Sequence, residues 1–120
     1  MCPVYINRIA SIHAESRNEK PYFSAQEPDY KEMITNANLR RRMSRMIKMG
    51  VACGLECLKD IPSEKVDAII TATGLGCLAD TEKFMNALMD NREQMLNPTA
   101  FIQSTFNTLG AQLALLLKIH

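Results

Sequence analysis

The sequence predicts an α/β fold, and three observations carry that expectation. Two runs rich in strand-forming residues, Val4 to Ile12 and Val66 to Thr73, lie on either side of a long helical pattern over Leu39 to Lys59. A glycine turn then joins the second run to another helical pattern. Alternating strand and helix signals are the mark of a sheet covered by helices. At 120 residues, 47% of them hydrophobic, the chain has the size of one domain and enough apolar material for a core.

In the first run, Tyr5, Ile6, Ile9 and Ile12 favour extended backbone, and Pro3 marks its start. Residues 14–37 are mostly polar and interrupted by Pro21 and Pro28, so they read as an excursion with a short helical turn at Tyr30 to Ile34. A loop this long in a small domain covers something or touches a partner. Over Leu39 to Lys59, Met43, Met46, Ile47, Val51, Leu55 and Leu58 recur at helical spacing, with Asn38 as the expected cap and Pro62 as the stop. Gly50 and Gly54, four apart, clear one strip of this helix for close approach by another element.

Val66, Ala68, Ile69 and Ile70 form a near-continuous apolar run, which suits a strand buried on both faces as in a parallel sheet. The turn Thr71 to Gly76 leads into a helix over Asp80 to Asp90, capped by Asp80 or Thr81, with Phe84 and Leu88 inward. Asn91 to Pro98 is a polar connection. From Thr105 to His120 the helical pattern is apolar around its whole circumference, with Gln112 and Lys118 nearly its only polar breaks. Such a helix must be surrounded by protein. The preceding elements are too few for that, so this segment is expected at a subunit interface, or the chain to stop short of the rest of its domain.

Composition narrows the function. The net charge of +1 argues against a protein that coats nucleic acid. The longest wholly apolar run, Leu113 to Leu117, falls far below the roughly 18–20 residues that span a bilayer. The first residues lack the basic flank and apolar stretch of a signal peptide, which points to a soluble cytoplasmic protein. Cys2, Cys53, Cys57 and Cys77, with only His13 and His120 as histidines, lack the paired spacing of a zinc site and read as reduced, partly buried thiols. Neither a metal nor a cofactor is expected.

Several motifs admit two readings. Gly74-Leu75-Gly76-Cys77-Leu78-Ala79 fits the G-x-G-x-x-A dinucleotide fingerprint between a strand and a helix. No acidic strand end follows about twenty residues on, and glycines at such a turn commonly just make the turn. Arg40, Arg41, Arg42, Arg45 and Lys48 gather five of the fourteen cations into nine residues. They form either a solvated helix face or a patch for an acidic protein surface or a phosphate. Cys77 lies near a helix start, where a thiol pKa can fall, but no histidine stands ready as its base. Cys53, Cys57 and Cys77 read as structural, and the methionines 43, 46 and 49 as core filling. In Gln103 to Asn107, Ser104 or Thr105 serves as the cap of the last helix.

Taken in order, these segments resemble the N-terminal part of the β-ketoacyl-[acyl-carrier-protein] synthases, nearest in pattern to synthase-like proteins of Bacteroidetes-type bacteria. The resemblance rests on the first strand, the helix Leu39 to Ala52, the run Asp67 to Gly76 with its G-x-G turn, and the segment Phe101 to Ala114. It runs over nearly the whole chain and implies a partial thiolase-like fold, with residues 1–120 as an N-terminal synthase-like segment. Members of that family condense an acyl thioester with a malonyl unit on acyl carrier protein, using a cysteine nucleophile assisted by histidines. None of the four cysteines holds the nucleophile's place in the family order. The resemblance therefore implies no catalytic residue in this chain. It implies contact with acyl carrier protein through Arg41 and Arg42, and a homodimer or a heterodimer with a synthase. Two other readings stand beside it: a non-catalytic interaction subunit that pairs with a synthase through the last helix, and a nucleotide-binding α/β domain built on Gly74 and Gly76.

Overall fold

The computed structural model describes residues 3–14 and 25–119. Its elements in chain order are α1 (Tyr30–Met33), α2 (Ala37–Arg42), α3 (Arg45–Leu58), a 3-10 turn (Ser63–Lys65), α4 (Leu78–Asp90), α5 (Pro98–Ser104) and α6 (Thr108–Leu117). Among the described residues there is no β-strand. The extended pairing is confined to one antiparallel bridge, Ala14 with Ala25, beside which the Gln26 N–H donates to the His13 carbonyl at 3.2 Å.

The sheet expected of an α/β fold is thus not found among the described residues, which form helices and two runs without regular structure. A strand becomes sheet only when a second edge accepts its N–H and C=O groups, and neither run meets one among the described residues. Val4 to Ile12 instead lies along α3. Arg8 pairs with Asp60 at 2.6 Å, and the Cys57 thiol donates to the Arg8 carbonyl at 3.7 Å. An open cleft of about 470 Å³ lies between Ile9 to Ile12 and Ala52, Cys53 and Glu56 of α3. Val4 (95% exposed), Ile6 and Ile9 remain in solvent. The second run is not buried on both faces as its composition suggested. Ile69 and Thr71 lie against α6 at Gly110, while Ile70 between them is 91% exposed.

The predicted helix Leu39 to Lys59 is two helices. Met43 takes an extended conformation (ψ 133°) as the C-cap of α2, and Ser44 (ψ 170°) is the N-cap of α3. The break lets Met43 turn inward to join Ile34, Ile47, Val51 and Cys77 in the core, against which Tyr30, Met33, Leu39, Leu55 and Leu116 pack. Its cost is visible at Ser44, whose buried hydroxyl lacks a partner. Asn36, not Asn38, caps α2, accepting from the N–H groups of Asn38 and Leu39 at 3.1 Å. The rest of the predicted stripe divides by packing: Ile47 and Val51 are fully buried, whereas Met46 is exposed.

Helix α6 crosses α3 along the strip that Gly50 and Gly54 leave clear, and Leu109 and Leu113 fill it. The approach expected there is made by side chains. Helix α6 is not surrounded, for Ala111 and Leu115 stand in solvent. Helices α4 and α5 meet through Phe84 and Phe101, whose rings lie 5.4 Å apart and tilted by 55°. Among the described residues no helix is long and apolar enough to cross a membrane.

Candidate functional site

Helix α2 ends in Arg40-Arg41-Arg42, and α3 begins at Arg45 three residues later, so the bend at Met43 and Ser44 divides the cationic run between two axes. Cations in the last turn of α2 face its unsatisfied carbonyls, a favourable placement. The Arg40 guanidinium donates to the Ile34 carbonyl. Arg41 donates from Nε to the Ala37 carbonyl at 3.4 Å and from Nη2 to the Asn38 side-chain oxygen at 3.0 Å. Arg42 is exposed, with no hydrogen bond among the described residues.

Arg45 separates from the group. It grips Glu27 through Nε at 2.6 Å and Nη2 at 2.5 Å, and the Tyr30 hydroxyl donates to the other oxygen of that carboxylate at 2.6 Å. These bonds, from Tyr30 first and Arg45 next, hold the Glu27 carboxyl below its usual pKa. Burial and the same hydrogen bond push the Tyr30 phenol well above its ordinary value. The pairing clamps residues 27–30 onto α3 and neutralises one cation of the five.

Arg40, Arg41 and Lys48 line an open groove of about 300 Å³ together with Tyr30, Lys31 and Asp29. The Asp29 carboxylate accepts from the Lys31 N–H at 2.7 Å and caps α1. Lys31 escaped the sequence reading because it lies on a different helix from the arginine run. Its only local signal is the short helical turn predicted over Tyr30 to Ile34, which is observed as α1.

The glycine turn is closed by a local hydrogen bond. Gly76 has φ +62°, a conformation glycine adopts freely, and its N–H donates to the Thr73 hydroxyl at 3.0 Å. Cys77, rather than Asp80 or Thr81, holds the N-cap position of α4. Asp80 sits buried in the first turn, where its carboxylate faces the positive end of the helix.

Cys77 is 7% exposed, and its thiol points to the Thr105 carbonyl at 3.9 Å. Burial first, and the Asp80 charge second, push its pKa up, the reverse of what a helix start alone suggests. It packs in the core as a neutral thiol. Cys53 and Cys57 are free and half-buried on α3. His13 contacts the Ser11 hydroxyl at 3.2 Å. Cys2 and His120 lie outside the described residues.

The polar cluster before the last helix is a joint. Ser104 ends α5 and donates to the Phe101 carbonyl at 2.7 Å. Thr105 donates to the Ile102 carbonyl at 2.8 Å and lies 2.7 Å from the Thr108 hydroxyl. Asn107, not Ser104 or Thr105, occupies the N-cap position of α6. The hydroxyls satisfy the carbonyls that the end of α5 leaves open.

Compared with known proteins, residues 13–119 match the family model described as the beta-ketoacyl synthase, N-terminal domain. No curated protein and no solved structure matches the chain.

Proposed function

The chain belongs to the β-ketoacyl synthase N-terminal-domain family, and from that premise we propose that it is a synthase-like protein whose cationic α2 docks acyl carrier protein. The family implies a thiolase-like fold. Acidic carrier surfaces are met most economically by exposed cations that the fold has not already paired. Arg41 and Arg42 are both exposed at the end of α2, while Arg45 is held by Glu27. That contrast is the observation that carries the reading, and it favours these two positions among the five.

In this proposal the chain supplies a docking surface and no nucleophile. The core position and raised pKa of Cys77, and the absence of a neighbouring histidine among the described residues, support a role without catalysis. The condensation reaction of fatty acid or polyketide-type synthesis, in the cytoplasm, is the process it would serve. Pairing with a second copy or with a synthase is supported by the apolar side chains left in solvent at Val4, Ile6, Ile70 and Leu115.

The test is a titration of acyl carrier protein against the 120-residue chain at low salt. The double variant Arg41→Glu, Arg42→Glu should weaken binding by at least about tenfold, and added salt should weaken the parent complex too. Affinity unchanged by the double variant rejects the reading.

A further inference from the structure

The groove between α1, α2 and α3 gathers more positive than negative charge. Lys31, Arg40, Arg41 and Lys48 line it from three helices, against the carboxylate of Asp29 in the lining and that of Glu27, bound to Arg45, near Lys48. Asp29 is already committed as an acceptor to the Lys31 N–H. Among the described residues, none of the four cations forms an ion pair, whereas Arg8 and Arg45 elsewhere do. Arg40 and Lys48 are half-buried, so their charges are less screened than those on an open face.

Local stability alone does not account for this convergence. Arg40 and Arg41 each use part of their donor set on nearby oxygens, one and two bonds respectively. A guanidinium has five N–H donors, so both keep donors for a ligand. The two lysines come from other helices and contribute point charges. A single carboxylate would leave most of the positive charge uncompensated. A tetrahedral oxyanion of higher charge, able to accept from several directions at once, matches the set better. The space, about 300 Å³, takes a phosphate and a short substituent.

We infer that the groove lined by Lys31, Arg40, Arg41 and Lys48 is a binding site for a phosphate group, either free or carried as an ester on a small molecule. The site needs no carrier protein. It shares Arg41 with the proposed docking surface, while Arg42 lies outside the groove lining and Lys31 and Lys48 lie outside the docking pair.

The test is an amide-resolved NMR titration of the full chain with inorganic phosphate at pH 7, at fixed ionic strength against chloride. Amides of residues 29–31, 40, 41 and 48 should shift along one saturating curve, with a Kd on the order of 1 mM. The double variant Lys31→Ala, Lys48→Ala should raise that Kd about tenfold, while Arg42→Ala leaves it unchanged. Methyl phosphate supplies the second arm. Binding as tight as or tighter than inorganic phosphate assigns the site to an ester, and weaker binding assigns it to the free ion. Should the double variant fail to fold, Lys31→Glu on the exposed side of the groove replaces it. Shifts that grow without saturating, or a saturating curve that the lysine variants do not alter, overturn the inference. Phosphate binding that survives while the Arg41→Glu, Arg42→Glu variant still binds carrier protein normally removes the docking reading alone. The converse result removes the phosphate site alone.

Discussion

Gly54 of α3 lies directly beneath Leu113 of α6, so that a Cβ built on the glycine would come within 2.6 Å of Leu113 Cδ2. One turn earlier Gly50 stands in the same relation to Leu109, closer still. The two contacts set how near α6 comes to α3.

Replacing either glycine tests this contact through two opposed effects. Alanine in a helix interior is favoured over glycine by about 1 kcal/mol. Overpacking a fitted contact costs about 1–3 kcal/mol. The leucines are flexible but sit between two helices, so the steric effect should win at Gly50, where the clash is worse. Gly50→Ala is expected to lower the urea midpoint, equivalent to a loss of about 1 kcal/mol, and Gly54→Ala to lower it less. An unchanged or raised midpoint for Gly50→Ala would show that α6 is free to move away.

The Glu27, Tyr30 and Arg45 cluster predicts pH dependence on both sides of neutrality. Glu27 has its folded pKa depressed below 4.5, so its contribution is present above that value and lost as pH falls through the folded pKa. Tyr30 has its folded pKa raised above 10.0, so its contribution is fully present below pH 10 and lost as pH rises beyond it. Glu27→Gln should therefore flatten the acid fall in Tm as pH drops below 4.5. Tyr30→Phe should do the same for the alkaline fall above about pH 10. Acid and alkaline limbs identical to those of the parent chain in both variants would show that the cluster does not couple to folding.

Cys77 should be the slow thiol on the described part of the chain. Burial and the Asp80 charge keep it protonated, while Cys53 and Cys57 are half-buried on α3. Peptide-resolved mass spectrometry after iodoacetamide treatment at pH 8 should find Cys77 modified at least about tenfold more slowly than Cys53 in the native chain, a lag that urea abolishes. Equal native rates would place Cys77 outside the core.

Much of the helical content was legible because helical periodicity is local. The turn at Tyr30 to Met33, the buried stripe through Ile47 and Val51, the helix ending at Asp90 and the apolar last helix are all visible as spacing. The break after Arg42 was not, because Met43 is a good helix former and only its burial against Ile34 and Ile47 makes the bend worthwhile. Ser44, a frequent N-cap residue inside an apolar pattern, was the available signal. The two strand expectations find no sheet among the described residues for a different reason. Propensity favours extended backbone, and exposure does alternate over Ile69, Ile70 and Thr71, but sheet needs a partner edge.

The candidate site divides in the same way. Arg41 and Arg42 stood out as a charge run, yet the run alone could not say that Arg45 is taken by Glu27 or that Lys31 joins Arg40, Arg41 and Lys48. The helix-forming segments, the family order of elements and the sign of the basic patch follow from local sequence, since each depends on neighbours within a few turns. Which cations remain unpaired, where the long helix bends and which residues of the two strand-like runs are covered were settled by long-range packing. Those outcomes depend on groups far apart in the chain, brought together by burial of Ile34, Ile47 and Val51, and distance in space, not in sequence, governs both charge pairing and packing.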